Sequence, residues 1–561
     1  MRSNIHGGSQ PIWLPPLLVG LTLLICAVPV GRLVYGAALA LADGDTADIL
    51  LEPATWRAVR NTLVSSFAGM AISLVLGGVF ALALVLTDIR AKRLWGFAFM
   101  LPLMIPPQVT ALAWVQLTGP SSPLLNAIGL APPLGSPQPL YSLSGIALLL
   151  GVQHAPLVFL AVRASLAAIP ADGVEAARLS GARPAQVLRH IILPLAAPGI
   201  VAGAAIAFVS GVGNFGIPAI LGIPASIFVL PTYIYSRLAS FGTGILAEMS
   251  LLSMLVAGIA FAGIAVQQLA LRRRDYRIIG LSGQVARFPL FGWRLPAELG
   301  LAGVLAVILV APMLALVATS LVPAYGVRLS LATASVDAYR EILFVQSVTR
   351  TAFGNSFFLA TTAAVVLLAL CVPLAWWLNR RGGFARVAVE TVVEIPYALP
   401  GIVLAVAFIL LFAAPVFGLS IYGTIWIILA AYLASFMAVG LKPLASAFRQ
   451  TDAALEEAAR IFGAGFWQRM RDIVLPLIAP AAGASAIMVF LFSVNELTVS
   501  ALLWSAGTQT LGVAVFNLDD GGAASLAAAL SVLIVAMVFG LMIVLEALAG
   551  RLPKGAIPWR A

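Results

Sequence analysis

A few polar side chains stand out because almost everything around them is apolar. Glu496 lies within SVNELTVSALL, and Glu394 lies two residues before Pro396, with Glu390 one helical turn earlier. Asn214, within GVGNFGIPAIL, falls 282 residues before Glu496. A carboxylate in a low-dielectric passage attracts a cation strongly. Its oxygens suit a hard metal ion, and an organic cation equally well. The competing reading is structural: a polar contact within or between helices, or a side chain reaching towards the membrane surface. For Gln153 and His154 the expected role is satisfied packing. Catalytic patterns are missing, since the sequence has no HExxH and no GxSxG. A P-loop is missing too, because Lys92, Lys442 and Lys554 are the only lysines and none follows a glycine. Cys26 and Cys371 lie in apolar runs, without a CxxC, and read as buried, inert thiols.

These residues need elements to hold them. Of the 561 residues, 61% are hydrophobic and 10% are charged. A soluble globule has about 45–50% and about 25%. So apolar a chain implies an all-α polytopic membrane protein. A spanning helix needs roughly 20 apolar residues. Six runs qualify in the first half, at about 12–36, 62–87, 94–118, 141–168, 196–222 and 246–270. Six more follow at about 297–322, 355–378, 386–412, 420–446, 478–504 and 523–549. The backbone of the fifth run is loosened by Gly211, Gly213 and Gly216.

If the N-terminus is inside, 25 of the 32 Lys and Arg residues fall on the inner side. Both termini are therefore expected in the cytoplasm. The net charge of +10 follows this loop bias and gives no reason to invoke nucleic acid. The outer loops carry Asp43, Asp45, Asp48, Glu52, Asp337, Asp519 and Asp520, read as solvated charge within reach of a delivering protein. The first run is too long for a signal-peptide core of about 7–15 residues, so it is read as a retained span.

The chain also repeats itself. EAARLSGARPAQVLRHIILP at 175–194 answers EAARIFGAGFWQRMRDIVLP at 457–476, at an offset of 282. Asn61-Thr62-Leu63 answers Asn355-Ser356-Phe357 more weakly, at an offset of 294. Both strong copies fall between the fourth and fifth spans of their half, so the two six-helix repeats run parallel. The halves are expected at 1–271 and 296–561, joined by a basic cytoplasmic linker at 272–295. In each loop Asp172 or Asp452 is placed to cap a short helix, and Gly181 or Gly463 to end it. In the second copy Leu455, Ala458, Ala459 and Phe462 share one face; the first keeps Ala176 and Ala177. Two small-residue faces at equivalent positions read as docking elements.

The pattern Glu-Ala-Ala, three residues, Gly, nine residues, Ile-x-Leu-Pro resembles the EAA loop of permeases in binding-protein-dependent ABC importers. That resemblance implies that each loop forms a coupling helix seated in a groove of an ATP-binding cassette subunit. Docking would fall on Glu175, Ala176, Ala177 and Gly181, and on Glu457, Ala458, Ala459 and Gly463. It implies two ATPase subunits, a substrate-binding protein, membrane lipid around the chain, no cofactor, and no catalysis by the chain itself. NFGIPAILGIP, VLPTYIY and ELTVSALL look most like ferric-iron permeases; thiamine, polyamine and aminophosphonate permeases share much of the design. Asn214, Glu394 and Glu496 are then candidates for the substrate path. An ion-coupled secondary transporter also has twelve spans in parallel halves, but does not need twin docking loops.

Overall fold

The computed structural model describes residues 13–548 apart from 134, 241–243, 273–286, 325, 381–382, 416–417, 419 and 453. Most of the expected linker thus lies outside the described residues. The helices used below are, in the first half, α1 (Leu14–Ala42), α2 (Pro53–Leu86), α3 (Lys92–Met104), α4 (Pro107–Thr118) and α5 (Leu143–Ala167). They continue with α6 (Ala171–Leu179), α7 (Pro184–Gly213), α8 (Gly216–Gly222), α9 (Leu230–Leu238) and α10 (Ile245–Arg272). The second half has α11 (Phe291–Ser320), α12 (Ser347–Arg380), α13 (Phe384–Ala398), α14 (Gly401–Phe412) and α15 (Ile425–Gln450). It ends with α16 (Ala454–Ile461), α17 (Phe466–Asn495), α18 (Ser500–Leu503), α19 (Leu511–Asp520) and α20 (Ala524–Leu548).

Among the described residues ten helices are long and apolar enough to cross a membrane, and twelve spans result if each of two bent pairs counts as one. The protein is an all-α polytopic membrane protein, as its composition implies. The expected runs 94–118 and 386–412 are not straight: they bend by 98° and 105°. The cause is local. Pro106 and Pro400 follow Ile105 and Leu399, which proline keeps out of the helical region, at ψ 131 and ψ 138. Proline acts differently elsewhere. Five-residue π turns at 23–27, 188–192, 306–310 and 470–474 each end two residues before a proline: Pro29, Pro194, Pro312 and Pro476. The ring crowds the carbonyl four residues back, which lies inside the π turn, and the wider turn makes room for it.

The helices form two compact units. Among the described residues, one holds those up to Ala38, those of Thr351–Leu511 and those from Met537; the other holds those of Leu39–Arg350 and Gly512–Ala536. Sequence halves and compact units therefore divide the chain differently. Most of α1 belongs with the second-half helices, where the Cys26 Sγ lies 3.3 Å from the Met437 Sδ of α15. Helix α11 belongs with the first-half helices, and its Thr319 hydroxyl donates to the Gln116 Oε1 of α4 at 3.2 Å.

Within the first-half unit α2 and α5 cross closely. Ser73 Oγ donates to the Gly151 carbonyl at 2.8 Å, and a Cβ on Gly77 would sit 2.5 Å from the Ala155 carbonyl oxygen. Small residues allow such contact between membrane helices. In the other unit Gly440 of α15 admits the Cys371 Sγ of α12, 3.4 Å from where its Cβ would be. Both cysteines are buried and free.

The weaker repeat has a structural purpose. Asn61 donates to the Phe228 carbonyl at 3.0 Å, while Thr62 Oγ1 accepts from the Leu230 N–H that opens α9, at 2.8 Å. Asn355 donates to Gly507 and Gln509 carbonyls, both at 2.9 Å, and Ser356 Oγ accepts from the Leu511 N–H that opens α19, at 2.8 Å. In each case the amide anchors a loop and the hydroxyl caps the helix after it.

Candidate functional site

Two helix breaks occupy equivalent places. Helix α7 stops at Gly213, and the Asn214 Oδ1 accepts from the Ile217 N–H at 3.1 Å, opening α8. Helix α17 stops at Asn495, and the Glu496 Oε1 accepts from the Val499 N–H at 2.6 Å, just before α18. Both residues take the same extended backbone, at φ −71, ψ 124 and φ −75, ψ 122. Each ends one helix and caps the next turn.

Each break packs against another break. A Cβ on Gly216 would lie 3.0 Å from the Gln108 N at the start of α4. A Cβ on Gly401, at the start of α14, would lie 3.1 Å from the Thr498 Cβ. Irregular backbone at membrane depth survives only inside protein or along a water-filled cavity.

The remaining path candidates are spread out. Asn214 lies in one compact unit, and Glu394 and Glu496 in the other. Glu394 projects from α13 with its side chain 57% exposed and pairs with Lys442 Nζ at 3.2 Å; that ammonium also sits 5.2 Å from the Tyr397 ring centroid. Glu390 pairs with Arg386 at 2.9 Å, one turn away on the same helix. Gln153 donates to the Pro102 and Ile105 carbonyls, both at 3.0 Å, which closes the α3 break, and His154 is buried beside it. Among the outer acids, Glu52 accepts from the Tyr233 hydroxyl at 3.0 Å and faces Arg237 at 3.8 Å. Burial pushes the Asp519 carboxyl up to about 6.

Sequence reasoning passed over Gln108. It is 1% exposed, and among the described residues neither its amide nitrogen nor its amide oxygen has a hydrogen-bond partner. Thr110 Oγ1, half a turn on, is likewise buried and unpartnered. The signal was present as polar residues following a Pro-Pro pair inside an apolar run. It has no counterpart in the second half to draw attention to it.

The loop helices α6 and α16 expose nearly every residue. Glu175, Ala176, Glu457 and Ala458 are exposed, and Ala177 and Ala459 are half-buried. Leu179 and Phe462 are each 90% exposed. Gly181 and Gly463 take the left-handed conformation, at φ 84 and φ 82. The following N–H reaches back over the last turn in both, from Ala182 to the Ala177 carbonyl and from Ala464 to the Ala459 carbonyl, each at 3.0 Å. The N-terminal ends differ. Asp452 accepts from the Ala454 N–H at 2.9 Å, but Asp172 lies inside the first turn of α6, and Pro170 takes the cap position without a side-chain bond. Pro170 opens the helix with its fixed φ, so Asp172 is left to favour the helix dipole.

Comparison with known proteins adds the following. A family model described as "Binding-protein-dependent transport system inner membrane component" matches residues 73–276 and again 371–556. A protein of Sinorhizobium fredii named as a probable ABC transporter permease is 25% identical over 568 residues, covering 97% of each chain. A ferric transport system permease protein of Actinobacillus pleuropneumoniae is 25% identical, over 89% of this chain and 72% of its own length. A Salmonella paratyphi A protein named for 2-aminoethylphosphonate transport is 30% identical, over 28% of this chain and 59% of its own. Among solved structures, a bacterial ABC transporter that imports alginate aligns at 18% identity and a TM-score of 0.37, covering 47% of this chain and 98% of that one.

Proposed function

We propose, given that this chain belongs to the family of binding-protein-dependent transport system inner membrane components, that it passes ferric iron inward from a binding protein while two separate ATPase subunits supply the energy. The chain is an ABC importer permease, and its two family matches fit two fused halves. The observation that carries the docking part is the pair of exposed helices α6 and α16, each ending in a left-handed glycine at the same place in its repeat. Apolar Leu179 and Phe462 stand in the open there, as partner-binding residues do before the partner arrives. Glu175, Ala176, Ala177 and Gly181, with Glu457, Ala458, Ala459 and Gly463, are the contact residues of this reading. The halves 1–271 and 296–561 and the linker 272–295 are its domains. The plasma membrane is its location, with both termini and both loops in the cytoplasm. Asn214, Glu394 and Glu496 contribute to the path.

The ferric relative supports the substrate, since it matches most of this chain. A second reading, 2-aminoethylphosphonate, is favoured by the higher identity of a shorter match. Cells expressing the chain with its partner subunits and a binding protein are given radiolabelled ferric iron and radiolabelled 2-aminoethylphosphonate in turn. ATP-dependent iron uptake is the expected result. Uptake of the phosphonate alone replaces the substrate. Purification of the chain without any ATPase subunit overturns the docking reading. Cysteines at Ala182 and Ala464 should react only with reagent admitted to the cytoplasm.

A further inference from the structure

We infer that Glu456 is a positioning residue that ties the second docking helix, α16, to the inner end of α12, a task the chain segment 287–290 performs for the first docking helix. The inference rests on the docking reading above, and goes beyond it in saying how each loop's movement reaches the membrane.

Glu456 stands 282 residues after Val174, and Arg469 stands 282 residues after Val187. Val174 and Val187 are both buried, at 2% and 1% exposure, so apolar side chains fill these two places in the first loop. At the matching places the second loop has a carboxylate and a guanidinium, 3.5 Å apart, with side chains 12% and 6% exposed. An ion pair this sheltered adds little stability over two apolar residues of similar size. The first loop shows that the fold manages with valines. What the ion pair adds is direction. Glu456 also pairs with Arg380 and accepts from Trp376 Nε1 at 3.1 Å, and both of those residues lie in the last turns of α12. Arg380 stacks over Trp376, 4.5 Å from its ring centroid, and Arg469 donates onward to the Ala464 carbonyl at 2.7 Å. One carboxylate therefore joins the docking helix, the loop behind it and the long helix.

At the first loop no side chain among the described residues makes this direct link. The positions 294 residues before Trp376 and Arg380 are Leu82 and Leu86, which cannot reach a partner with charge. A backbone strap takes over. The Phe288 N–H donates to the Leu86 carbonyl at 2.7 Å, and the Leu290 N–H donates to Asp88 Oδ1 at 2.9 Å. Arg178 of α6 donates to the Arg287 carbonyl at 3.3 Å and lies 5.2 Å from the Phe288 ring centroid. Each docking helix is thus bound to the end of the long helix of its own half, by ion pairs in one case and by a passing irregular segment in the other. Coupling through a protein needs such contiguous, stiff contacts.

A tie of this kind makes the membrane helices a load on the partner subunits. Cutting it removes the load. The variant pair Glu456→Val with Arg469→Val gives these two places the first loop's own apolar side chains, so α16 stays folded while its link to α12 is lost. Purified with its two ATPase subunits and placed in liposomes without binding protein, this variant should turn over ATP about fivefold faster than the unmodified complex. KM for ATP and subunit stoichiometry should not change. Glu456→Asp should return turnover to normal. A gain in turnover is not what misfolding produces. Unchanged or slower turnover with normal stoichiometry overturns the inference and leaves the docking reading intact. Failure of the unmodified chain to retain ATPase subunits overturns the docking reading, and the inference with it.

Discussion

The two compact units build the same junctions from opposite materials. Where α2 and α5 cross, the glycine is Gly77 on α2, facing Val158 on α5. At the matching crossing the glycine is Gly440 on α15, and the larger partner is Cys371 on α12. The broken-helix junctions repeat the exchange. Gly216 yields to Pro107 in one unit, whose Cβ lies 3.3 Å from where that of Gly216 would be, and Gly401 yields to Thr498 in the other. What the fold requires is one small residue per contact, and either side of the contact can supply it. Geometry is kept while residue identity moves. The polar groups do not follow that rule. The start of α4 carries Gln108 and Thr110, where α14 carries Ile402 and Leu404; the cap after α7 is Asn214, where that after α17 is Glu496. Differences that swap sides are structural equivalents. Differences that simply add a charge or an amide to one unit are where the two halves do different work.

The crossing gives the largest effect. Gly77→Cys alone puts a Cβ 2.5 Å from a backbone oxygen. Overpacking of that kind costs about 1–3 kcal/mol. Adding Val158→Gly gives this crossing the Cys–Gly pair of the other unit but removes only the Val158 Cβ contact at 2.9 Å, leaving the Ala155 carbonyl in place, so it should recover only part of the loss, less about 1 kcal/mol for glycine within a helix. Heating in detergent followed by size-exclusion chromatography reads the order: unmodified, double variant, single variant. A double variant no better than the single would show that the two crossings are not interchangeable.

The caps come next. Glu496→Asn keeps a side-chain oxygen for the Val499 N–H and removes the charge. If the carboxylate serves the passage of a cation, uptake should fall about tenfold, equivalent to about 1.4 kcal/mol, with yield and melting unchanged. Asn214→Ala removes a cap and no charge, so it should lower stability by about 1 kcal/mol and change uptake less. Full uptake by Glu496→Asn would reduce Glu496 to a helix cap, equivalent to Asn214 in every respect.

Sequence exposed one kind of feature and concealed another. The spans were legible because apolar length is a property of composition, and the loops because EAARLSG and EAARIFG keep identity at fixed spacing. The break after α7 could be anticipated from Gly211, Gly213 and Gly216. The break in α13–α14 could not be, because Pro396 and Pro400 share the same apolar run and only the second carries the bend of 105°. The association of most of α1 with the second-half helices was invisible too, since nothing in an apolar span names the helices it packs on. Glu456 escaped notice because its counterpart is Val174, and comparing the copies for identity passes over positions where they differ. Glu394 looked like a lone membrane carboxylate, while its partner Lys442 lies 48 residues away, on another helix.

The finest distinction lies at the start of α4. Gln108 is buried with both amide atoms unpartnered, and an unsatisfied buried polar group costs about 1–3 kcal/mol. The other unit shows the remedy, since Ile402 and Leu404 fill the same places. Gln108→Ile with Thr110→Leu should therefore raise stability, by about 1 kcal/mol, which melting in detergent would register. A residue kept at a cost to stability needs another use, and the first unit has retained two where the second has none. If that use were contact with water or substrate, replacing both residues would cost transport while improving packing. The same double variant should then lose uptake by about twofold to threefold, the smallest change among these variants. Higher stability with full uptake would make the polar start of α4 an unused remnant. The two units would then differ in function only by their caps and their docking ties.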